Sequence, residues 1–286
     1  MHKFKISKFR SVTGFFDNKL TGEFDYYRRK QSNILGARIA STPSTLGATL
    51  PDVNYAARSW YSYEFALNWK SNISTDFKYS VYGNMGYSRD QWDIIDQAEA
   101  LTDGTYLNNW RSAIGKPANR VYGLISKGII RTQEELDRLP DGFTQYGRIP
   151  KLGYLLFEDI RGDNYSEGPD GKIDNNDMTY LSDNGSPRIN YGLGVNLQWK
   201  NISLNAHFQG VGAYDRMVST RNGGGVFQND RPYFELWASD YWTPENPNAT
   251  YPRVSGEFQV ADVGGEASTF WIRNGAYLRL KNLDLG

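Results

Sequence analysis

Apolar and polar residues alternate along several stretches of the chain. Between Tyr61 and Lys70 the odd-numbered positions are aromatic or aliphatic, whereas the even-numbered positions are mostly polar. Successive side chains of a β-strand point to opposite faces, so this alternation predicts a strand with one apolar and one polar face. The same pattern recurs near residues 77–89, 188–199 and 202–213.

Each alternating run is close to the roughly 9 to 11 residues that a tilted strand needs to cross a bilayer. Tyr or Trp lies at the ends of several runs, as the aromatic girdles of membrane barrels require. The residues predicted to face lipid are Tyr63, Phe65, Leu67, Val195 and Leu197, and those predicted to face a lumen are Glu64, Asn68, Asn196 and Gln198. A soluble β-sandwich also alternates, so this pattern alone leaves both architectures open.

The lengths of the connections favour a barrel. We predict seven strands, near residues 10–16, 20–31, 59–70, 77–89, 188–199, 202–213 and 269–285. Short connections at 17–19, 70–76 and 200–201 alternate with long polar ones at about 32–58, 90–187 and 214–267. Outer-membrane barrels show this alternation because their periplasmic turns are short and their external loops are long. Inside the second long connection, Thr132 followed by Glu135 predicts a capped helix that ends near Pro140.

The predicted fold class is therefore all-β: part of an antiparallel transmembrane β-barrel with long extracellular loops. Bacterial single-chain barrels have an even number of strands, which leaves no strand edge unpaired. Seven strands thus predict that residues 1–286 form one partial barrel domain. Residues 1–10 are basic but lack an apolar region and a cleavage site, so an exported chain beginning here is expected to lack its true N-terminus.

Composition and charge exclude several other classes. The low mean hydropathy of −0.62 does not argue against a barrel, because lumen-facing residues lower the average. Lys plus Arg (32) equals Asp plus Glu (32), so no net field favours nucleic acid. The absence of cysteine excludes disulfides and cysteine-based metal sites. Of the two histidines, His207 lies in a predicted lumen-facing set, and we predict no enzyme activity.

Several segments resemble the SusC/RagA family of TonB-dependent outer-membrane transporters. The segments are NKLTGEFDYY at 18–27, TPSTLGATLPDVNY at 42–55, YGLISKGII at 122–130, FQGV at 208–211, YWTPENPNATYPR at 241–253 and FWIRNGAYLRLKNLDLG at 270–286. They follow the family's order along essentially the whole chain.

The resemblance implies a large barrel in the bacterial outer membrane, a plug domain and coupling to the TonB complex. It also implies a surface-exposed SusD-like lipoprotein that covers the barrel while oligosaccharides or peptides are imported. We find no plug, TonB box or signal peptide in the sequence, and the family continues through further strands after a point like Gly286. Energy coupling is therefore expected to lie outside these residues.

An acidic segment predicts a structural calcium site in one of the long loops. The run from Asp170 to Asp174 matches the second half of an EF-type loop, in which oxygen ligands flank a glycine turn. The predicted ligands are Asp163, Asp170, the carbonyl of Lys172, Asp174 and Asp177, and Asp159 is an alternative to Asp163. The competing interpretation is a solvated loop in which Asp and Gly only form turns.

Aromatic residues in the long loops are candidate ligand-binding groups. The candidates are Trp110, Tyr233, Trp237, Tyr241 and Trp242, with Phe234 beside them. Their flat rings could stack on sugars or on peptide side chains. The alternative is that they pack the loops together or contact a SusD-like partner.

A second function class stays open from the sequence. It is a secreted soluble β-sandwich that binds carbohydrate through a calcium-braced loop. The alternation of short and long connections and the segment at 241–253 favour the transporter. The identity of the substrate does not follow from these residues.

Overall fold

The structure is a computed structural model that describes residues 3–38, 45, 47, 50–97, 109–218, 239–253 and 266–286. The strands are β1 Lys3–Phe15, β2 Leu20–Gly36, β3 Val53–Asn72, β4 Phe77–Ile94, β5 Val121–Gly123, β6 Ser126–Ile129, β7 Thr144–Gln145, β8 Leu155–Phe157, β9 Lys172–Ile173, β10 Thr179–Ser182, β11 Ile189–Trp199, β12 Ile202–Gly212, β13 Asp215–Met217, β14 Ile272–Asn274 and β15 Tyr277–Leu285. The α-helix α1 spans Gln133–Asp137. No helix within the described ranges is both long enough and apolar enough to cross a membrane.

Seven strands form one antiparallel sheet in the order β1-β2-β3-β4-β11-β12-β15. This arrangement confirms the all-β fold class and the prediction of seven main strands. β2, β3 and β4 are 17, 20 and 18 residues long, which exceeds their predicted lengths because pairing continues past the alternating segments. The predicted last strand is divided: β14 pairs with β13, and only β15 joins the main sheet.

The register of the main sheet gathers the apolar side chains on one face. Phe65 lies opposite both Phe24 and Met85, and the Phe24 and Phe65 rings are 4.9 Å apart. Val195 lies opposite Val81 on the same face. These side chains pack across the strands yet stay exposed, and Leu67, for instance, is 58% accessible. The predicted two-faced pattern is confirmed, whereas contact of the apolar face with lipid stays a prediction.

The buried core lies in the long connections. We call the described residues between β4 and β11, and between β12 and β15, the loop layer. Its core consists of Leu124, Ile129, Phe143, Tyr154, Leu155, Phe157, Ile173, Trp242, Ala249 and Trp271. The loop layer is therefore a small folded unit that joins two connections far apart in sequence.

The predicted capped helix is present and ties the two connections together. Thr132 Oγ1 accepts a hydrogen bond from the Glu135 backbone N–H at 3.2 Å, and the Glu135 carboxylate accepts one from the Thr132 backbone N–H at 3.1 Å. These reciprocal bonds form a capping box that satisfies free N–H groups of the first turn. Just before the helix, the Arg131 guanidinium donates to the Ala249 carbonyl at 2.9 Å.

Gly153 permits close packing between the two connections. It has a φ of +85°, and a Cβ at this position would overlap the Trp242 ring and lie 2.7 Å from Arg253 Cβ. The Gly153 N–H donates to the Ile130 carbonyl, and its own carbonyl accepts from the Arg253 N–H at 2.7 Å. A glycine is therefore required here both by conformation and by space.

We predict that Gly153→Ala loosens the loop layer more than Gly147→Ala does. Gly147 has a similar φ of +77°, but a methyl carbon added there would meet no heavy atom within 4 Å, so this variant measures the conformational cost alone. Overpacking at Gly153 should add about 1–3 kcal/mol. Hydrogen exchange of residues 151–157 and 241–252 in the full-length protein is the measurement. Equal protection in the two variants would contradict the packing role.

Candidate functional site

Asp177 organises the acidic segment of the loop layer. Its side chain is fully buried and accepts three backbone hydrogen bonds: from Ile160 at 2.8 Å, Arg161 at 3.1 Å and Asp174 at 2.9 Å. Burial raises the pKa of the Asp177 carboxyl, and the three N–H donors oppose that rise. The carboxylate thus joins the turn at 160–161 to the 3₁₀ turn at Asn175–Asp177.

The neighbouring aspartates also accept bonds from the backbone. Asp159 receives the N–H groups of Asp170 at 3.2 Å and Gly171 at 2.7 Å. Asp170 receives the Lys172 N–H at 2.9 Å, and Asp174 receives the Asn176 N–H at 2.6 Å. Each carboxylate therefore supports a turn, as Asp side chains commonly do.

The predicted calcium ligands are Asp163, Asp170, the carbonyl of Lys172, Asp174 and Asp177. Asp163 is exposed at the start of a separate 3₁₀ turn, Asp163–Tyr165. Within the part of the chain that the structure describes, no three His, Cys, Asp or Glu side chains are grouped so as to hold a metal ion. Calcium would require these side chains to converge, and its binding stays a prediction.

A second feature of the loop layer is a group of arginine and aromatic side chains. We call it the arginine–aromatic cluster, and its members are Trp110, Arg111, Arg120, Tyr122, Arg161, Tyr165 and Tyr180. The Trp110 ring lies 6.3 Å from the rings of both Tyr165 and Tyr180. The Tyr180 ring lies 5.0 Å from that of Tyr122, its cross-strand partner between β10 and β5.

Each guanidinium of this cluster lies over a ring. The central carbon of Arg161 is 3.8 Å from the Trp110 ring centre, that of Arg111 is 4.2 Å from the Tyr165 centre, and that of Arg120 is 3.3 Å from the Tyr180 centre. Such cation–π contacts are worth about 0.5–2 kcal/mol each. All the members are partly exposed, so the cluster borders solvent.

The other aromatic candidates differ from Trp110 in their placement. Trp242 is buried in the loop-layer core at 3% exposure, and Tyr241 packs against that core. This is the placement that the packing alternative expects, and ligand binding by the two rings stays a prediction. Tyr233, Phe234 and Trp237 lie outside the described residues.

Sequence reasoning identified Trp110 but missed its partners. The cluster draws on positions between 110 and 122 and on others between 161 and 180, which no local spacing connects. They meet because β5 pairs with β10 and because Asp177 holds the backbone of Arg161. The cluster forms only in the tertiary structure, and no local sequence motif predicts it.

The polar face of the sheet carries its own groups. Glu23, Asp25 and Glu64 line a depression of about 570 Å³ together with His207. The His207 ring stacks on that of Tyr82, and His207 Nδ1 lies 3.1 Å from the Tyr82 hydroxyl. His207 thus lies on the polar face, as the alternation predicted.

Comparisons with known proteins agree with the resemblance. No family model matches the chain. It is 24% identical over 279 residues to TonB-dependent receptor P3 of Formosa agariphila, covering 95% of this chain and 25% of the receptor. It is 25% identical over 283 residues to TonB-dependent receptor P26 of the same organism, covering 94% of the chain and 26% of the receptor.

Solved structures give the same result for the fold. The RagAB peptide transporter matches 99% of this chain with a TM-score of 0.64 and 17% identity. The RagAB peptide importer in its closed-closed state matches 99% with a TM-score of 0.66 and 18% identity. The chain covers 28% of each of these structures and about a quarter of the curated relatives. The resemblance to SusC/RagA-type TonB-dependent receptors is thereby confirmed.

We predict that Asp177→Asn unfolds the acidic segment locally. The amide side chain of asparagine has the same shape as the carboxylate. One acceptor oxygen is replaced by an NH₂ group, which cannot accept the backbone N–H that faces it. Leaving a buried donor without an acceptor costs about 1–3 kcal/mol. Proteolysis of residues 158–178 in the full-length protein should accelerate. Asp163→Asn, at an exposed position, is the control, and equal cleavage rates in the two variants would contradict the role of Asp177.

Calcium binding has a separate test. If the segment binds calcium at the roughly 10⁻⁴ to 10⁻³ M typical of extracellular modules, calorimetric titration of the full-length protein will show it. An Asp170→Ala, Asp174→Ala double variant should then lose that binding. Identical titrations of wild type and variant, or no binding at millimolar calcium, would leave the aspartates as turn formers alone.

Proposed function

We propose that this chain forms part of the barrel wall and the extracellular loops of a TonB-dependent transporter in the bacterial outer membrane. The transporter imports oligosaccharides or peptides together with a SusD-like lipoprotein and takes energy from the TonB complex. We propose no catalytic step for this chain, and its similarity to TonB-dependent receptors supports that view.

The observation that carries this proposal is the exposed apolar face of the sheet. Phe65, Leu67, Val81, Met85 and Leu193 form part of a continuous apolar surface, and all five side chains are exposed. Exposed apolar patches of this kind mark contact with a membrane or a partner. The opposite face is polar, which suits a water-filled lumen.

The lengths of the connections between strands also support a barrel in the outer membrane. The connections Phe16–Lys19, Ile73–Asp76 and Lys200–Asn201 are short and lie at one end of the main sheet. The loop layer connects β4 to β11 and β12 to β15 at the opposite end of the main sheet. In an outer-membrane barrel the short turns are periplasmic and the long loops external. The loop layer then faces the medium, where a lipoprotein lid and an incoming ligand would meet it.

The soluble β-sandwich is the weaker alternative. A sandwich buries its apolar face against a second sheet about 10 Å away. Among the residues described, the other sheets are two-stranded, and the apolar face of the main sheet stays exposed. A lipid-facing surface accounts for this exposure without a further partner.

We predict that Leu67→Arg destabilises the protein in lipid far more than Asn68→Arg. Leu67 lies five residues before the end of β3 at Asn72, or about 16 Å along the strand, which is near mid-bilayer for a tilted strand. An arginine on the lipid face there costs about 2–4 kcal/mol, whereas one in the lumen meets water. The measurement is urea unfolding of the full-length protein in lipid vesicles. A greater loss for Asn68→Arg would reverse the assignment of the faces.

A further inference from the structure

The arginine–aromatic cluster gathers three arginines, Arg111, Arg120 and Arg161, whose guanidiniums form no ion pair with any described carboxylate. Arg120 donates to the Ser112 carbonyl at 3.2 Å, and Arg161 reaches the Asn176 and Met178 carbonyls only at 3.4 Å. Most of the five N–H donors on each guanidinium therefore remain available.

Two of the three cations, Arg111 and Arg161, are also close enough to act on one another. Burial lowers the pKa of the Arg161 guanidinium, Asp177 opposes that shift, and the positive charge of Arg111 adds to it. Arginine still stays charged at any physiological pH. Holding partly buried like charges close together costs free energy, and the cation–π contacts with the rings oppose that cost. The Trp110 indole N–H adds a buried donor that has no partner among the described residues.

We infer that the arginine–aromatic cluster is a binding site for an acidic oligosaccharide, whose uronate carboxylates pair with the guanidiniums. This inference rests on the proposed function and names the class of ligand that the external loops of the transporter receive. A planar carboxylate matches the fork of an arginine and forms charge-assisted bonds about twice as strong as neutral ones.

The arrangement favours a saccharide over a peptide. Three guanidiniums are separated by rings whose centres are 5.0–6.3 Å apart, so anionic and apolar groups of the ligand must alternate. A uronate chain carries a carboxylate on every sugar, and between the carboxylates it presents C–H faces that pack on aromatic rings. The side-chain carboxylates of an acidic peptide stand on flexible chains, so fixing several of them against three guanidiniums costs rotamer entropy that a carboxylate on a stiff sugar ring does not lose.

The test is calorimetric titration of the full-length transporter with linear tri-galacturonate, with maltotriose as the neutral saccharide and tri-glutamate as the acidic peptide. We expect tri-galacturonate to bind at least about tenfold more tightly than either of the others. We also expect its affinity, and not that of maltotriose, to fall when the salt concentration rises from about 0.05 to 0.5 M, because partly exposed charges are screened. This salt series needs no variant, so it holds even if substitutions disturb folding.

Variants identify the residues. Arg111→Gln and Arg161→Gln should each weaken tri-galacturonate at least about tenfold, and Arg161→Lys should retain part of the affinity because it keeps the charge without the fork. Arg138→Gln is the matched control, since Arg138 is a loop-layer arginine on the exposed side of α1 paired with Glu134.

Several outcomes would overturn the inference. They are equal binding of tri-galacturonate and maltotriose, tighter binding of tri-glutamate, no binding of tri-galacturonate at millimolar concentration, or unchanged affinity in the arginine variants. Import assays separate this inference from the proposed function. Uptake of neutral saccharides or peptides with no acidic preference would leave the transporter intact and remove the site, whereas tight binding of tri-galacturonate without TonB-dependent uptake would do the reverse.

Discussion

The structure depends on continuous antiparallel pairing of its backbone. From β1 to β15 each strand of the main sheet exchanges hydrogen bonds with its neighbours, and residues directly opposite one another share a face. Local register shifts occur between β2 and β3, between β3 and β4 and between β12 and β15. Because the side-chain period is two, a slip of one residue in any pair would move a whole apolar row to the polar side. The register therefore fixes which surface is apolar, and no packed core beneath the sheet is needed to define it.

The loop layer is stabilised by a buried core rather than by continuous strand pairing. It has a buried core of its own, with Trp271, Phe157 and Leu155 almost fully enclosed, and it is held by single polar anchors such as Asp177 and Arg131. The main sheet can therefore present one apolar and one polar face, while the loop layer adopts a specific packed structure of its own. The described candidate binding groups Trp110, Tyr241 and Trp242 belong to the loop layer, where folding of distant segments can bring charges and rings together.

The sequence predicted the sheet well because its information is local. Alternation from Tyr61 to Trp69 and the short turn at Lys200 and Asn201 each specify structure within a few residues. Predictions for the loop layer went less far: the capping box at Thr132 is local and was found, whereas the partners of Trp110 are not. The last strand is divided in the structure because Asn274 pairs with Asp215 of β13, a contact that alternation does not encode.

The central claim is that the exposed apolar face of the sheet contacts lipid. Single cysteines along β3 test it directly, since the sequence has no native cysteine. In the full-length protein in lipid vesicles, fluorophores at positions 63, 65 and 67 should be quenched by nitroxide lipids, while those at 64, 66 and 68 should be quenched by aqueous iodide. Quenching of positions 64, 66 and 68 from the lipid phase, or the same response at all six positions, would contradict the account.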